Sequence, residues 1–261
     1  MLTKRLIACF DIINSMVTKA VQFQDNIKVA PAEELAETVY KNQIDELIFY
    51  DVTASNEKRG IDIETVKKVA GRVFVPFTVG GGIKTLDDMY SALKAGAEKI
   101  SIDSMAVRNP RIIKEGAEAF GSQCIVLSTQ VKKTPAMKSG YEVYIDGARI
   151  ATGMDALEWL KQGQELGAGE ICLNSIDKDG TLSGYDIELM TMADNILSVP
   201  LIASGGAGKP EHLLELFTKT DSQAAIISSM LYSPRLERNY TVSELKEYLL
   251  NSGINMRPCI I

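Results

Sequence analysis

The chain has 261 residues, of which 46% are hydrophobic and 24% charged, ordinary values for a soluble globular protein. That length suits one α/β barrel or two small domains, and it buries a core without disulfides or metals. The formal net charge of -6 argues against a general nucleic-acid surface and is compatible with a basic pocket for a small phosphorylated ligand.

The chain opens Met1-Leu2-Thr3-Lys4-Arg5 and passes straight into a strand-like run, without the apolar stretch of a signal peptide. No apolar run reaches the roughly 18 residues of a membrane helix, so the expectation is a cytoplasmic protein with no membrane contact. Short β-rich apolar runs follow at 6–11, 46–51, 75–79, 99–103, 124–130, 170–174, 200–204 and 224–228. Each reads as a strand buried on both faces. Helical patterns separate them. Pro31 suits the first position of a helix whose first turn carries Glu33 and Glu34. Thr85 caps the next clear start with Asp88 three residues on, Asn109 stands as a cap before Pro110, and Ser243 begins the last helical turns.

Eight βα units in this length predict closure into a (β/α)8 barrel, a single domain over 1–261. The chain also repeats loosely. Gly81-Gly82 and Gly205-Gly206 both stand between a strand and a helix, 124 residues apart, which predicts two related half-barrels. One segment breaks the rhythm. Residues 131–153 read as an insertion holding a hairpin around Asp146-Gly147, on the C-terminal face. The stretch from Ile12 to Val29 reads as a long first loop, a candidate lid or ligand clamp.

Cys9, Cys124 and Cys172 sit in apolar runs, and no two of the four cysteines, Cys259 included, form a C-x-x-C pair. They read as reduced thiols of the core. The lone histidine, His212, reads as a solvated helix residue, and no metal or cofactor is expected.

Glycine-rich turns at the C-terminal ends of barrel strands bring backbone N–H groups close to an anion, and the following helix adds its dipole. Gly205 and Gly206 with Ser228 and Ser229 form one such candidate cradle, and Gly82 with Asp103 and Ser104 the other. Two cradles across one mouth predict a ligand with a phosphate at each end. Asp11, Asp51, Asp103, Asp177 and Asp179 fall at or just beyond strand ends, on the face that carries chemistry in such barrels. Asp11 is the strongest acid–base candidate, because the run 6–10 drives it to the end of a buried strand. On strand five Gln130 stands at the corresponding place, and an amide does not titrate. Lys19 is a candidate cation. Arg5, Glu46, Lys99 and Glu170 lie at strand starts, a candidate ring of alternating charge at the bottom of the barrel.

These residues resemble the family of imidazole glycerol phosphate synthase cyclase subunits over nearly the full chain. The resemblance rests on Lys4-Arg5-Leu6-Ile7-Ala8-Cys9, Thr53-Ala54-Ser55, Val79-Gly80-Gly81-Gly82, Ser175-Ile176-Asp177-Lys178-Asp179-Gly180 and Ser204-Gly205-Gly206-Ala207-Gly208. It implies a barrel paired with a glutaminase subunit on its N-terminal face. Ammonia would rise past a gate formed by Arg5, Glu46, Lys99 and Glu170. It would react with a bis-phosphorylated, open-chain aminoimidazole carboxamide ribonucleotide to give imidazole glycerol phosphate. Lys19, Asn174, Asp179 and Gly180 join the two cradles as substrate-binding positions.

Four departures stand on the chemical face. Gln130 replaces the family's second catalytic aspartate, Asp103 an asparagine, Asn174 a threonine, and Asn14-Ser15-Met16 an Asp-Gly-Arg run. The competing expectation is a diverged barrel that scaffolds a glutaminase and passes ammonia to another reaction, such as acetamidino-sugar synthesis.

Overall fold

The first strand sets the pattern for the whole molecule. In the computed structural model, which describes residues 2–21, 24–54 and 60–259, β1 (Arg5–Ile13) runs through the centre of a closed sheet. Ser55 of the Thr53-Ala54-Ser55 motif lies outside the described residues. Then come β2 (Met16–Val21), β3 (Gln24–Pro31), α1 (Ala32–Lys41), β4 (Glu46–Asp51), α2 (Ile63–Ala70), β5 (Phe77–Gly80) and α3 (Leu86–Lys94). The middle of the chain forms β6 (Lys99–Ile102), α4 (Ser104–Arg108), α5 (Arg111–Phe120), β7 (Ile125–Lys133), β8 (Tyr141–Ile145), β9 (Ile150–Asp155) and α6 (Ala156–Glu165). The last part forms β10 (Glu170–Ser175), α7 (Ile187–Asp194), β11 (Leu201–Ser204), α8 (Pro210–Lys219), β12 (Ala224–Ile226), α9 (Ser228–Tyr232) and α10 (Val242–Asn251).

The parallel strands pair in the order β1-β4-β5-β6-β7-β10-β11-β12, and β12 returns to β1, so the barrel is closed. This is the (β/α)8 barrel. Along each strand the side chains alternate between the barrel interior and the helix layer. Ile7, Ile48, Val126, Cys172 and Ile202 pack together inside. Leu6, Leu47, Phe49, Ile100, Ile125 and Leu127 face outward into the larger core beneath the helices. No helix among the described residues is long and apolar enough to cross a membrane.

The 124-residue repeat extends well beyond the glycines. Helices α2 and α7 start at Ile63 and Ile187, each after an aspartate, Asp62 or Asp186, whose carboxylate accepts the N–H three residues on. Helices α4 and α9 start at Ser104 and Ser228. Gly81 and Gly205 both have positive φ, 87° and 94°, and a Cβ would lie 2.2 Å from Asp51 O in one half and 2.8 Å from Ser175 O in the other. Asp51 and Ser175 are themselves 124 apart. Only glycine lets the turn approach the neighbouring strand so closely.

Several expectations change in detail. The stretch from Ile12 to Val29, expected as a long loop, is mostly strand. β1 continues to Ile13, and a turn at Asn14 and Ser15, both with positive φ, returns the chain as β2 and then β3. Asparagine tolerates that left-handed conformation better than most residues, which makes a tight two-residue turn possible. Pro31 precedes the helix rather than starting it, and Pro110 likewise takes the position assigned to Asn109. The last helix is capped by Thr241, not Ser243, because Thr241 and Glu244 form a reciprocal capping box. Thr85 and Asp88 form the other such box, as the spacing predicts. His212 is half-buried rather than solvated. Its Nδ1 accepts the Gly208 N–H at 3.2 Å, and burial, with the charge of Lys209, holds its pKa below the ordinary value. Of the cysteines only Cys172 is fully buried, and all four are free thiols.

Candidate active site at the mouth of the barrel

The inward positions of the strands stack in layers. At the bottom, Glu46 and Glu170 are almost fully buried. Arg5 Nη1 contacts Glu46 Oε2 at 2.5 Å, and its other Nη contacts Glu170. Lys99 Nζ contacts Glu46 at 2.9 Å and Glu170 at 2.8 Å. Each carboxylate therefore meets both cations, and the ring is closed. Burial disfavours the charged forms of Arg5 and Lys99, but the paired glutamates outweigh it and hold both pKa values above their ordinary ones. A buried charge without such partners would cost several kcal/mol, roughly 3–5 on loss of one partner.

Above the ring lie Ser101, two residues past Lys99, and Cys9 and Tyr50, four past Arg5 and Glu46, with Ser128 of β7 beside them. Tyr50 Oη and Ser101 Oγ are 3.0 Å apart. Burial raises the Tyr50 hydroxyl well above its usual pKa and pushes the Cys172 thiol to about 12, so both stay protonated.

At the top two cavities adjoin. One, of about 350 Å³, is lined by Gly81, Gly82, Asp103, Ser104, Arg108 and Arg149, among others. The smaller, of about 70 Å³, is lined by Lys19, Asp179, Gly205, Gly206, Ser228 and Ser229, among others. Asp11, Tyr50 and Gln130 line both. The structure thus brings Asp11 and Gln130 between the two glycine turns. Burial raises the Asp11 pKa, opposed by the charge of Lys19. Asp179 is pushed to about 6, by burial first, with Lys19 lowering and Asp11 raising it.

Asn174 Nδ2 donates to Gln130 Oε1 at 2.8 Å. Asp103 is pushed up to about 7 by burial. A hydrogen bond from Gln130 and the charge of Arg108 oppose that rise, and Asp146 adds to it.

Some sequence candidates serve other purposes. Ser228 is buried, and its hydroxyl accepts the Cys9 N–H and donates to Cys9 O, both at 2.8 Å, so it ties α9 to β1. Ser229 lines the smaller cavity next to it. Ser104 Oγ accepts the Asp146 N–H at 2.9 Å. Asp177 accepts the Lys133 N–H on the exposed rim, and Asp51 shapes its own turn by accepting from Thr53 N and Ala54 N. The Asn14-Ser15 turn leans away from the cavity, with Ser15 Oγ 2.7 Å from Thr65 Oγ1.

Sequence reasoning missed Tyr50, Arg108 and Arg149. Tyr50 was accessible from the inward spacing Glu46, Ile48, Tyr50. Arg108 comes four residues after Ser104, at the end of α4, where its side chain reaches Asp146 at 2.5 Å. Arg149 arrives with the β8–β9 turn, and no local pattern marks it.

The model of the family described as histidine biosynthesis protein matches residues 5–237. The chain belongs to that family. Within it, the chain is 49% identical to the imidazole glycerol phosphate synthase subunit HisF of Desulforapulum autotrophicum and to that of Desulfosudis oleivorans, over 98% of this chain and 99% of each relative. The subunit of the same name from Desulfatibacillum aliphaticivorans is 48% identical over 98% of both chains. Near-complete coverage in both directions places the whole histidine biosynthesis barrel, mouth and base together, inside the likeness.

Proposed function

We propose that this chain is the cyclase subunit of imidazole glycerol phosphate synthase, a lyase of histidine biosynthesis that works in the cytoplasm. It takes ammonia from a glutaminase partner and converts a bis-phosphorylated aminoimidazole carboxamide ribonucleotide into imidazole glycerol phosphate and an aminoimidazole carboxamide ribonucleotide. The observation that carries this reading is the pair of glycine turns facing each other across one mouth, with Asp11 between them. The relatives favour the cyclase over an ammonia conduit for another reaction.

In this reading one phosphate lies against Gly205, Gly206 and Ser229, with Lys19 supplying positive charge. The other lies against Gly82 and Ser104, with Arg108 and Arg149 near. Backbone N–H groups at such turns bind oxyanions without needing a basic side chain. Asp11 takes protons from the attacking nitrogen. Asn174, Asp179 and Gly180 complete the walls. The glutaminase docks on the N-terminal face, below the ring of Arg5, Glu46, Lys99 and Glu170, and ammonia passes that ring into the barrel.

The test is turnover of the bis-phosphorylated substrate by the purified chain with excess ammonium salt and no glutaminase. Wild type is expected to form imidazole glycerol phosphate, and Asp11→Asn to lose about 10²–10⁴-fold in kcat, the usual range for one acid–base group. Absence of product from wild type under these conditions contradicts the cyclase reading.

A further inference from the structure

Five carboxylates line the two cavities, and most have visible structural work. Asp51 holds its own turn, Asp146 pairs with Arg108, and Asp179 stands beside Lys19 in the smaller cavity. Asp11 and Asp103 remain. Asp103 occupies the residue before α4, yet its side chain accepts no capping hydrogen bond from that helix. It faces the larger cavity, which Asp11 also lines. Its partner is Gln130. Because Gln130 Oε1 accepts from Asn174, the amide nitrogen is the end that turns to Asp103. Asn174, Gln130 and Asp103 thus form a chain across the ends of β10, β7 and β6, neighbours in the sheet.

We propose, resting on the cyclase reading above, that Asp103 is the second proton-transfer carboxylate of the mouth and that Gln130 is the positioning residue that aims it. Gln130 and Asp103 line the same cavity as Asp11, and the Gln130 amide holds the Asp103 carboxyl toward the ligand. The site then carries two carboxylates in unlike settings, Asp11 near Lys19 and Asp103 near an amide and Asp146. Unlike environments separate the acid from the base. With a pKa pushed up by burial to about 7, Asp103 gives and takes a proton near neutral pH.

The protons balance. In each step that forms a C–N bond, the incoming nitrogen sheds a proton to the Asp11 carboxylate. The atom leaving the same carbon takes one from the Asp103 carboxyl. That leaving atom is a water oxygen when ammonia condenses and the aminoimidazole nitrogen when the ring closes. Solvent returns the proton from Asp11 to Asp103 between steps. The sum is ammonia plus substrate giving imidazole glycerol phosphate, the aminoimidazole carboxamide ribonucleotide and one water.

The experiment uses the full chain, ammonium salt at constant free ammonia, and the bis-phosphorylated substrate. Four proteins are compared: wild type, Asp103→Asn, Gln130→Asp, and the double variant Asp103→Asn/Gln130→Asp, which moves the carboxylate one strand over. Thermal melts verify that each is folded. Asp103→Asn is expected to lower kcat at least about 100-fold with little change in KM. The double variant is expected to recover most of that loss. In wild type, kcat falls as pH rises through the pKa of Asp103, and in the double variant that limb moves. The groups facing Asp103 that titrate or carry charge are Arg108, Asp146, Asp11, Tyr50 and Cys172, and all are unchanged in the four proteins. Wild-type turnover that survives Asp103→Asn, or a double variant no faster than Asp103→Asn, overturns this proposal alone. A silent wild type beside an active double variant overturns both it and the cyclase reading of the wild-type chain, and leaves only the assignment of the mouth to that substrate. Silence in all four overturns the cyclase reading and the role of Asp103 together.

Discussion

The two halves of the barrel mouth share a backbone and differ in charge. The turn after β5 and the turn after β11 have matching glycines, matching close contacts 124 residues apart, and short helices, α4 and α9, that begin on serines. The second half is the narrower. Gly205, Gly206, Ser204 and Ser229 line it, Ser228 is spent on β1, and Lys19 is the cation. The first half is wider and carries Asp103, which would repel an anion, together with Arg108 and Arg149, which would hold one. The hairpin of β8 and β9 delivers Arg149 and sets Asp146 N on Ser104. Duplicated backbone thus supplies two glycine turns of one design, and the side chains around them differ.

That contrast can be broken at Arg108. If the first half needs side-chain charge to hold its phosphate, Arg108→Ala raises KM for the bis-phosphorylated substrate about tenfold, near the low end of what a charged hydrogen bond contributes. The change in kcat should be small. An unchanged KM would mean that backbone N–H groups suffice in both halves.

Asp103 offers a smaller effect, read without any substrate. Its carboxyl titrates near 3.8 unfolded and about 7 folded, so the folded state binds the proton more tightly. Stability from this group is present at low pH and is lost as pH rises between those values. Asp103→Asn should therefore raise Tm by several degrees at a pH near 8, and by much less near pH 4. An equal shift at both ends of the range would mean that the carboxyl is not perturbed by folding.

Much of this was legible in the sequence, for a physical reason. Strands buried on both faces leave uninterrupted apolar runs, and inward residues recur every second position. Arg5 and Glu46 are therefore found at the starts of their strands by counting, and Asp11 on the same inward face as Arg5. Repeated glycines mark turns that tolerate no Cβ, so the half-barrel repeat is visible too. What stayed hidden depends on long-range placement. Nothing local says that Ser228 will bond Cys9, that Gln130 will turn its amide nitrogen to Asp103, or that a hairpin will bring Arg149 to the rim. The stretch from Ile12 to Val29 reads as a loop because its turn uses Asn14-Ser15 instead of a glycine pair.

The most direct measurement is a crystal structure of the Asp11→Asn protein with the bis-phosphorylated substrate bound. One phosphate is expected on Gly206 and Ser229 and the other on Gly82 and Ser104, with the open chain running past residue 11 and the Asp103 carboxylate within hydrogen-bonding reach of a leaving atom. A substrate with both phosphates in one half, or with neither glycine turn occupied, would contradict the account.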